Sequence, residues 1–166
     1  MAKKIRQYAC LIVAVVVYFL IHEGAHALVA LYYGVFKSIR FLGVGVQVVV
    51  NHEAMTETQI GIFCLVGVLS TLIAGWVMLL MSRSICSSKS AYVRTLGWYV
   101  TMVLLVLDPL YLSVLYPYVG GGDMNGIQLL VPEVAAQITF GALLVINVIA
   151  LVALAYKPYK KSFQTA

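Results

Sequence analysis

The chain has 166 residues and a net charge of +5, and 63% of its residues are hydrophobic while only 10% are charged. A soluble domain is about half apolar and about a quarter charged, so this composition excludes an ordinary soluble domain. The basic residues lie at the ends of apolar segments, which excludes nucleic acid as an expected partner. We therefore predict an all-α membrane protein that forms a single domain over residues 1–166.

Four apolar segments are long enough to cross a membrane, which takes roughly 20 apolar residues. They lie at about residues 7–33, 58–81, 96–116 and 132–156. Nine of the eleven basic residues come before the first segment, between the second and third, or after the fourth. The positive-inside rule then predicts a multi-pass protein of the cell membrane with both termini in the cytoplasm.

The first segment carries the motif His22-Glu23-Gly24-Ala25-His26, an H-E-x-x-H pattern set inside an apolar run. Histidines four residues apart project from one face of a helix, so both imidazoles can hold one metal ion. Glu23 is placed beside them to take a proton from a metal-bound water. Because ionisable groups in a hydrocarbon environment are costly, they usually mark function. The motif predicts one bound Zn²⁺ per chain.

The N-terminal segment has one rival interpretation. A basic start, an apolar stretch and then Ala25-His26-Ala27 also resemble a signal peptide with its cleavage site. The apolar run continues through Tyr33, which is longer than a typical signal core, and His22 and Glu23 would interrupt it. A membrane-spanning helix is therefore the preferred interpretation.

Residues 41–50 differ in character from the spans around them. They are rich in β-branched side chains, too short to cross a membrane, and contain Gly43 and Gly45. This pattern predicts a strand or hairpin at the membrane interface, next to the motif. The edge of a strand over residues 42–50 could accept an extended peptide as an added strand. The alternative is a loop or hairpin that only packs.

The later segments contain features that shape helices. Gly67, Thr71 and Gly75 form a stripe of small residues in the second span, which predicts close helix packing. The glycine-rich residues 120–126 cannot form a regular helix. Pro132 predicts a helix break before the last span.

The predicted zinc needs a third protein ligand, because a catalytic zinc usually takes three and leaves one position for water. Asp108 lies in the third span at a depth similar to that of the motif, and Asp123 follows that span in a flexible segment on the same side. Depth slightly favours Asp108, and chain flexibility permits Asp123. The other candidates are His52 and, less favoured, Glu53, Glu57 and Glu133.

The order of these features resembles the site-2 protease family of intramembrane zinc metallopeptidases, and in particular its small, divergent prokaryotic branch. Residues 22–28 (HEGAHAL) are similar to the family's signature, and residues 122–127 (GDMNGI) resemble its second motif, whose aspartate is the third zinc ligand. The chain differs from the family at Met124, where the family has glycine, and at residues 67–71, which lack the family's proline and asparagine.

The resemblance implies an intramembrane metalloendopeptidase with zinc held by His22, His26 and Asp123 and with Glu23 activating the water. The expected partners are a transmembrane protein or peptide substrate and the lipid bilayer, and a homo-oligomer or a regulatory membrane partner is left open. Two other functions also fit the residues. One is a non-catalytic, zinc-stabilised module that binds partner helices, and the other is a small metal or proton transporter whose path includes Asp108.

Overall fold

The computed structural model describes residues 2–42 and 45–164, which form helices and one β-hairpin. The first half contains α1 (Ala2–Tyr32), β1 (Phe36–Leu42), β2 (Gly45–Val50), a 3-10 turn (His52–Ala54), α2 (Glu57–Leu80) and α3 (Ser82–Cys86). The second half contains α4 (Ala91–Leu110), a π-helical turn (Tyr111–Leu115), α5 (Tyr116–Val119), α6 (Met124–Ile127), α7 (Glu133–Ala150), a second π-helical turn (Leu151–Tyr156) and α8 (Lys157–Gln164).

Four helical segments are long and apolar enough to cross a membrane, which confirms the predicted fold class. They are Lys4–Tyr32, Glu57–Leu80, Ala91–Val119 and Glu133–Phe163. The last two extend beyond the predicted residues 96–116 and 132–156, because each continues through a π-helical turn into a short final helix. Large apolar side chains cover their outward faces, as expected of surfaces that contact lipid. Examples are Ile12, Leu20, Ile73, Ile138 and Ile149.

Local sequence signals explain where the helices begin. The Thr56 side chain accepts a hydrogen bond from the Gln59 amide, and the Gln59 side chain accepts one from the Thr56 amide, which is a capping box at the start of α2. Ser90 caps α4 in a similar way through the Val93 amide. Pro132 occupies the N-cap position of α7, at the predicted break.

The β-hairpin after α1 confirms the predicted β-segment. Its strands are antiparallel, with Ile39 opposite Val48 and Phe41 opposite Val46. The first strand begins at Phe36, earlier than the predicted residues 41–50, and Gly43 lies outside the described residues. Polar residues in β1 obscured the pattern in the sequence, because this edge strand is largely exposed.

The core joins the hairpin to the helices on one side of the bundle. Helices α1, α2 and α4 contact one another, and α7 packs against α4. A buried apolar cluster connects β2, α2, α6 and α7 and includes Val48, Phe63, Val68, Met124, Ile127 and Phe140. This cluster holds the hairpin and the loop before α6 close to the middle of α1.

An asparagine from α7 completes the hydrogen bonding of α4 at its internal proline. Pro109 has no N–H group and cannot donate to the carbonyl of Leu105 one turn earlier. Asn147, which is fully buried, donates to this carbonyl through Nδ2 at 2.7 Å. The side chain of Asn147 therefore satisfies the carbonyl that the proline leaves without an intrahelical partner.

We expect the effects of Asn147→Leu and Pro109→Ala on stability to be coupled. Alanine at position 109 restores an intrahelical donor for Leu105, so Asn147→Leu should cost about 1 kcal/mol less in that background than in the wild type. The measurement is a double-mutant cycle of unfolding free energies in detergent. Because the other polar atoms of Asn147 are removed in both arms, their contributions cancel. Additive effects would contradict this role for Asn147.

Candidate metal centre

The two histidines of the motif face inward from α1, toward α2. His22 is 6% exposed and His26 is 3% exposed, and their ring centroids are 4.8 Å apart. The possible ligand atoms of His22, Glu23 and His26 all lie within 4.8 Å of one another. This largely buried group could hold a metal ion.

Asp123 is brought to the same point by the loop between α5 and α6. Its Oδ2 lies 2.9 Å from His22 Nε2, and its Oδ1 lies 3.3 Å from His26 Nε2. Two ligand atoms bonded to a tetrahedral zinc at about 2.0–2.1 Å lie about 3.3 Å apart, so these three side chains suit one small cation. The donor set of two imidazoles and one carboxylate is also typical of catalytic zinc sites.

Three glycines before Asp123 make this approach possible. Gly120, Gly121 and Gly122 have positive φ values of 67°, 72° and 61°. Residues other than glycine rarely adopt this backbone conformation. Tyr111 fixes the loop by donating a hydrogen bond to the Gly120 carbonyl at 2.7 Å. The chain therefore turns back after α5 and places Asp123 against α1.

The neighbours of Asp123 lower the pKa of its carboxyl group. Burial raises its pKa, but hydrogen bonds with His22 and His26 and the charges of these two imidazoles outweigh that effect and lower the pKa to about 2. A lowered pKa favours the carboxylate form, which is the form that binds metal.

The Nδ1 atoms of both histidines point away from the shared centre. His26 Nδ1 lies 2.7 Å from the backbone carbonyl oxygen of Phe63 on α2. His22 Nδ1 is buried without a well-aligned hydrogen bond and lies 3.4 Å from Asp108 Oδ2. Partners of this kind fix the orientation of a metal-binding imidazole and leave its Nε2 free for the ion.

Asp108 lies behind His22, on the opposite side of the ring from Asp123. It is 3% exposed, and its carboxylate accepts hydrogen bonds from the hydroxyl groups of Tyr18 on α1 and Thr71 on α2. The structure therefore brings Asp123, and not Asp108, to the two Nε2 atoms. Asp108 is placed to orient His22 as part of a buried polar network.

Gly67 on α2 contacts the histidines directly. A Cβ atom at this position would lie 2.8 Å from His22 Nε2 and would also collide with the ring of His26. Within the small-residue stripe, Gly75 packs against Leu104 and Leu105, and Thr71 bonds Asp108, so each member has a different partner. The sequence pattern predicted close packing but gave no sign that Gly67 borders the imidazoles.

Gly67→Ala is expected to weaken metal binding about ten- to a hundredfold, because the added methyl group must displace the imidazole nitrogens. Gly24→Ala is the matched control: Gly24 lies between the two histidines on α1, and nothing stands within 4 Å of where its Cβ would be. Competition with a chromogenic chelator gives the affinity of each variant. Equal affinity of the two variants would contradict the contact at Gly67.

The centre lines a cavity of about 570 Å³. Its walls are the motif side chains, Asp123 and its neighbours, and one side of β2 at residues 45–48. The Val48 amide donates a hydrogen bond to Glu23 Oε2 at 2.8 Å, so the hairpin fixes the position of this carboxylate.

The other candidates for the third ligand are not among the described partners of the two imidazoles. His52 lines the same cavity but is exposed. Glu53, Glu57 and Glu133 are not part of the described cavity wall.

An apolar groove of about 520 Å³ adjoins the cavity on the outer side of α1. It is formed by Phe19 and Leu20 of α1 and by Ile39 and Phe41 of β1, among other residues. Glu23, Gly45 and Val46 line both spaces. Glu23 therefore stands at the boundary between an apolar surface and a polar cavity.

No protein-family model, curated protein or solved structure matches this chain.

Proposed function

We propose that this protein is an intramembrane zinc metalloendopeptidase of the site-2 protease type. The observation that carries the proposal is the convergence of His22 Nε2, His26 Nε2 and the Asp123 carboxylate beside Glu23. These residues belong to the two segments, 22–28 and 122–127, that resemble the family's motifs. The orientation of both imidazoles through their Nδ1 atoms also supports a metal centre.

In this proposal His22, His26 and Asp123 would hold one zinc ion. When bound, zinc acts as a Lewis acid that acidifies water and polarises the scissile carbonyl. Glu23 takes the proton of the attacking water and passes it to the leaving amine. Its hydrogen bond from the Val48 amide keeps one carboxylate oxygen in place, while the other is left to exchange the proton.

The two adjoining spaces suit a membrane-embedded substrate. A transmembrane helix hides its peptide bonds in its own hydrogen bonds and must unwind before hydrolysis. The apolar groove along α1 would hold the helical part, and the polar cavity would hold the unwound part. Gly45 and Val46 border both spaces, and this edge of β2 could pair with an extended peptide, whereas the Val48 amide is already bonded to Glu23.

The same proposal places the protein in the cell membrane with both termini in the cytoplasm. The concentration of basic residues at the start of α1, from α3 to the start of α4, and in α8 supports this orientation. The polar cavity supports access of water to the centre, because the exposed Asn125 and Gly122 line it.

The test is hydrolysis of a panel of transmembrane peptides by the purified protein in lipid vesicles. We expect cleavage that stops when a zinc chelator is added and returns when zinc, but not magnesium, is restored. Peptide fragments are identified by mass spectrometry. Cleavage that continues without metal would contradict the proposal. Metal-loaded protein that leaves every peptide intact would instead favour the non-catalytic module.

A further inference from the structure

One end of the helical bundle carries a high concentration of positive charge. Nine of the eleven basic residues belong to residues 1–10, 79–98 and 151–166, and these segments contain no aspartate or glutamate. The structure brings the segments together: α3 and α4 contact α8, and the guanidinium carbon of Arg6 on α1 lies 5.9 Å from the ring centre of Tyr92 on α4. This end is therefore suited to an anionic ligand.

A cavity of about 540 Å³ lies at this end, between the end of α2 and α8. Arg83 from α3 and Lys157 and Lys161 from α8 line it. The two lysines are four residues apart, so they project from the same face of α8. Tyr159, which is almost fully buried against Trp98, fixes α8 in this position.

Most of the remaining wall of this cavity is apolar. Leu79 and Leu80 come from the end of α2, and Ala153 and Leu154 come from the second π-helical turn. Leu80 is 73% exposed and Leu154 is 48% exposed, on helices long and apolar enough to cross a membrane. A free inorganic anion would leave this apolar wall uncovered, whereas a phospholipid offers a phosphate for the cations and an acyl chain for the leucines.

We propose that this cavity binds an anionic phospholipid of the leaflet at the basic end of the bundle. Arg83, Lys157 and Lys161 contact the headgroup phosphate, and the acyl chain lies along Leu80 and Leu154. The site is at a different part of the molecule from the metal centre. It therefore does not depend on peptide hydrolysis, and its test does not measure hydrolysis.

The test compares charge-matched variants of the purified full chain in a neutral detergent. The cavity variant removes the three lining cations through Arg83→Gln, Lys157→Gln and Lys161→Gln. The control variant removes three basic-end cations that do not line the cavity, through Lys4→Gln, Lys89→Gln and Lys160→Gln. Phosphatidylglycerol, phosphatidylcholine or inorganic phosphate is added to each. Native mass spectrometry counts the bound lipid, and the melting temperature reports stabilisation.

Phosphatidylglycerol should stabilise the wild type and the control variant, whereas phosphatidylcholine and inorganic phosphate should not. The cavity variant should bind phosphatidylglycerol on the order of a hundredfold more weakly. Ala153→Phe keeps every charge but fills the apolar part of the cavity, so it should also weaken lipid binding. This variant provides the test if the triple variant does not fold. The proposal is overturned if both triple variants lose binding equally, if Ala153→Phe binds like the wild type, or if inorganic phosphate stabilises as well as the lipid.

Discussion

Replacement of Glu23 by Gln is expected to lower the rate of peptide hydrolysis by a factor of about 10²–10⁴ while metal remains bound. The amide cannot accept the proton of the attacking water. It can still accept the hydrogen bond from the Val48 amide through its oxygen, so the hairpin should stay in place. The measurement pairs the rate of cleavage of a transmembrane peptide with the metal content of the same preparation.

Glu57→Gln is the matched control for this substitution. Glu57 is exposed at the start of α2 and is not part of the described cavity wall, so its loss of charge should leave the rate unchanged. If the Glu23→Gln variant cleaved the peptide at the wild-type rate, Glu23 would not be the residue that transfers the proton. Loss of metal from Glu23→Gln would mean that the residue has a structural part in the centre.

The second large effect concerns the two aspartates, for which we expect unequal losses of metal. Asp123→Ala removes the carboxylate that lies 2.9 Å from His22 Nε2, and the protein should no longer retain zinc through purification. Asp108→Asn keeps a polar side chain behind His22, but an uncharged amide orients the His22 imidazole less strongly than a carboxylate. Loss of such an orienting partner typically costs about 10–100-fold in metal affinity.

Asn125→Ala is a suitable control in the same loop, because Asn125 lines the cavity but is exposed. It should retain zinc at the wild-type level. A cobalt-loaded sample of each variant adds a second measurement, since the visible spectrum of cobalt reports its ligands. Retention of zinc by Asp123→Ala together with its loss from Asp108→Asn would reverse the roles proposed for the two residues.

The sequence was sufficient to predict the four apolar helices, the hairpin and the inward face of the motif. These features follow from local patterns: the length of apolar runs, the density of β-branched residues, and the four-residue spacing of His22 and His26. The extensions of the third and fourth helical segments were not predicted. Pro109 removes a backbone donor from α4, and Asn147, from a helix distant in sequence, supplies a donor to the carbonyl that this proline leaves free.

The arrangement around the candidate metal centre was harder to predict, because it depends on how the helices are rotated against one another. Counting residues along a span gives the depth of Asp108 but not the side of His22 that it faces. In the structure, α4 presents Asp108 to the Nδ1 side, where Tyr18 and Thr71 also bond it. The contact of Gly67 with both imidazoles likewise depends on the distance between α1 and α2, which the sequence does not give.

The metal content of the purified wild-type protein tests the central claim most directly. Two imidazoles and a carboxylate that meet at one point should retain one zinc ion per chain through purification in detergent, measured by elemental analysis against protein concentration. A ratio near one, lost in a variant with both histidines replaced, is the predicted result. Protein that contains no zinc, and that still binds none after incubation with zinc and removal of the excess, would contradict the metal centre and the hydrolysis proposed from it.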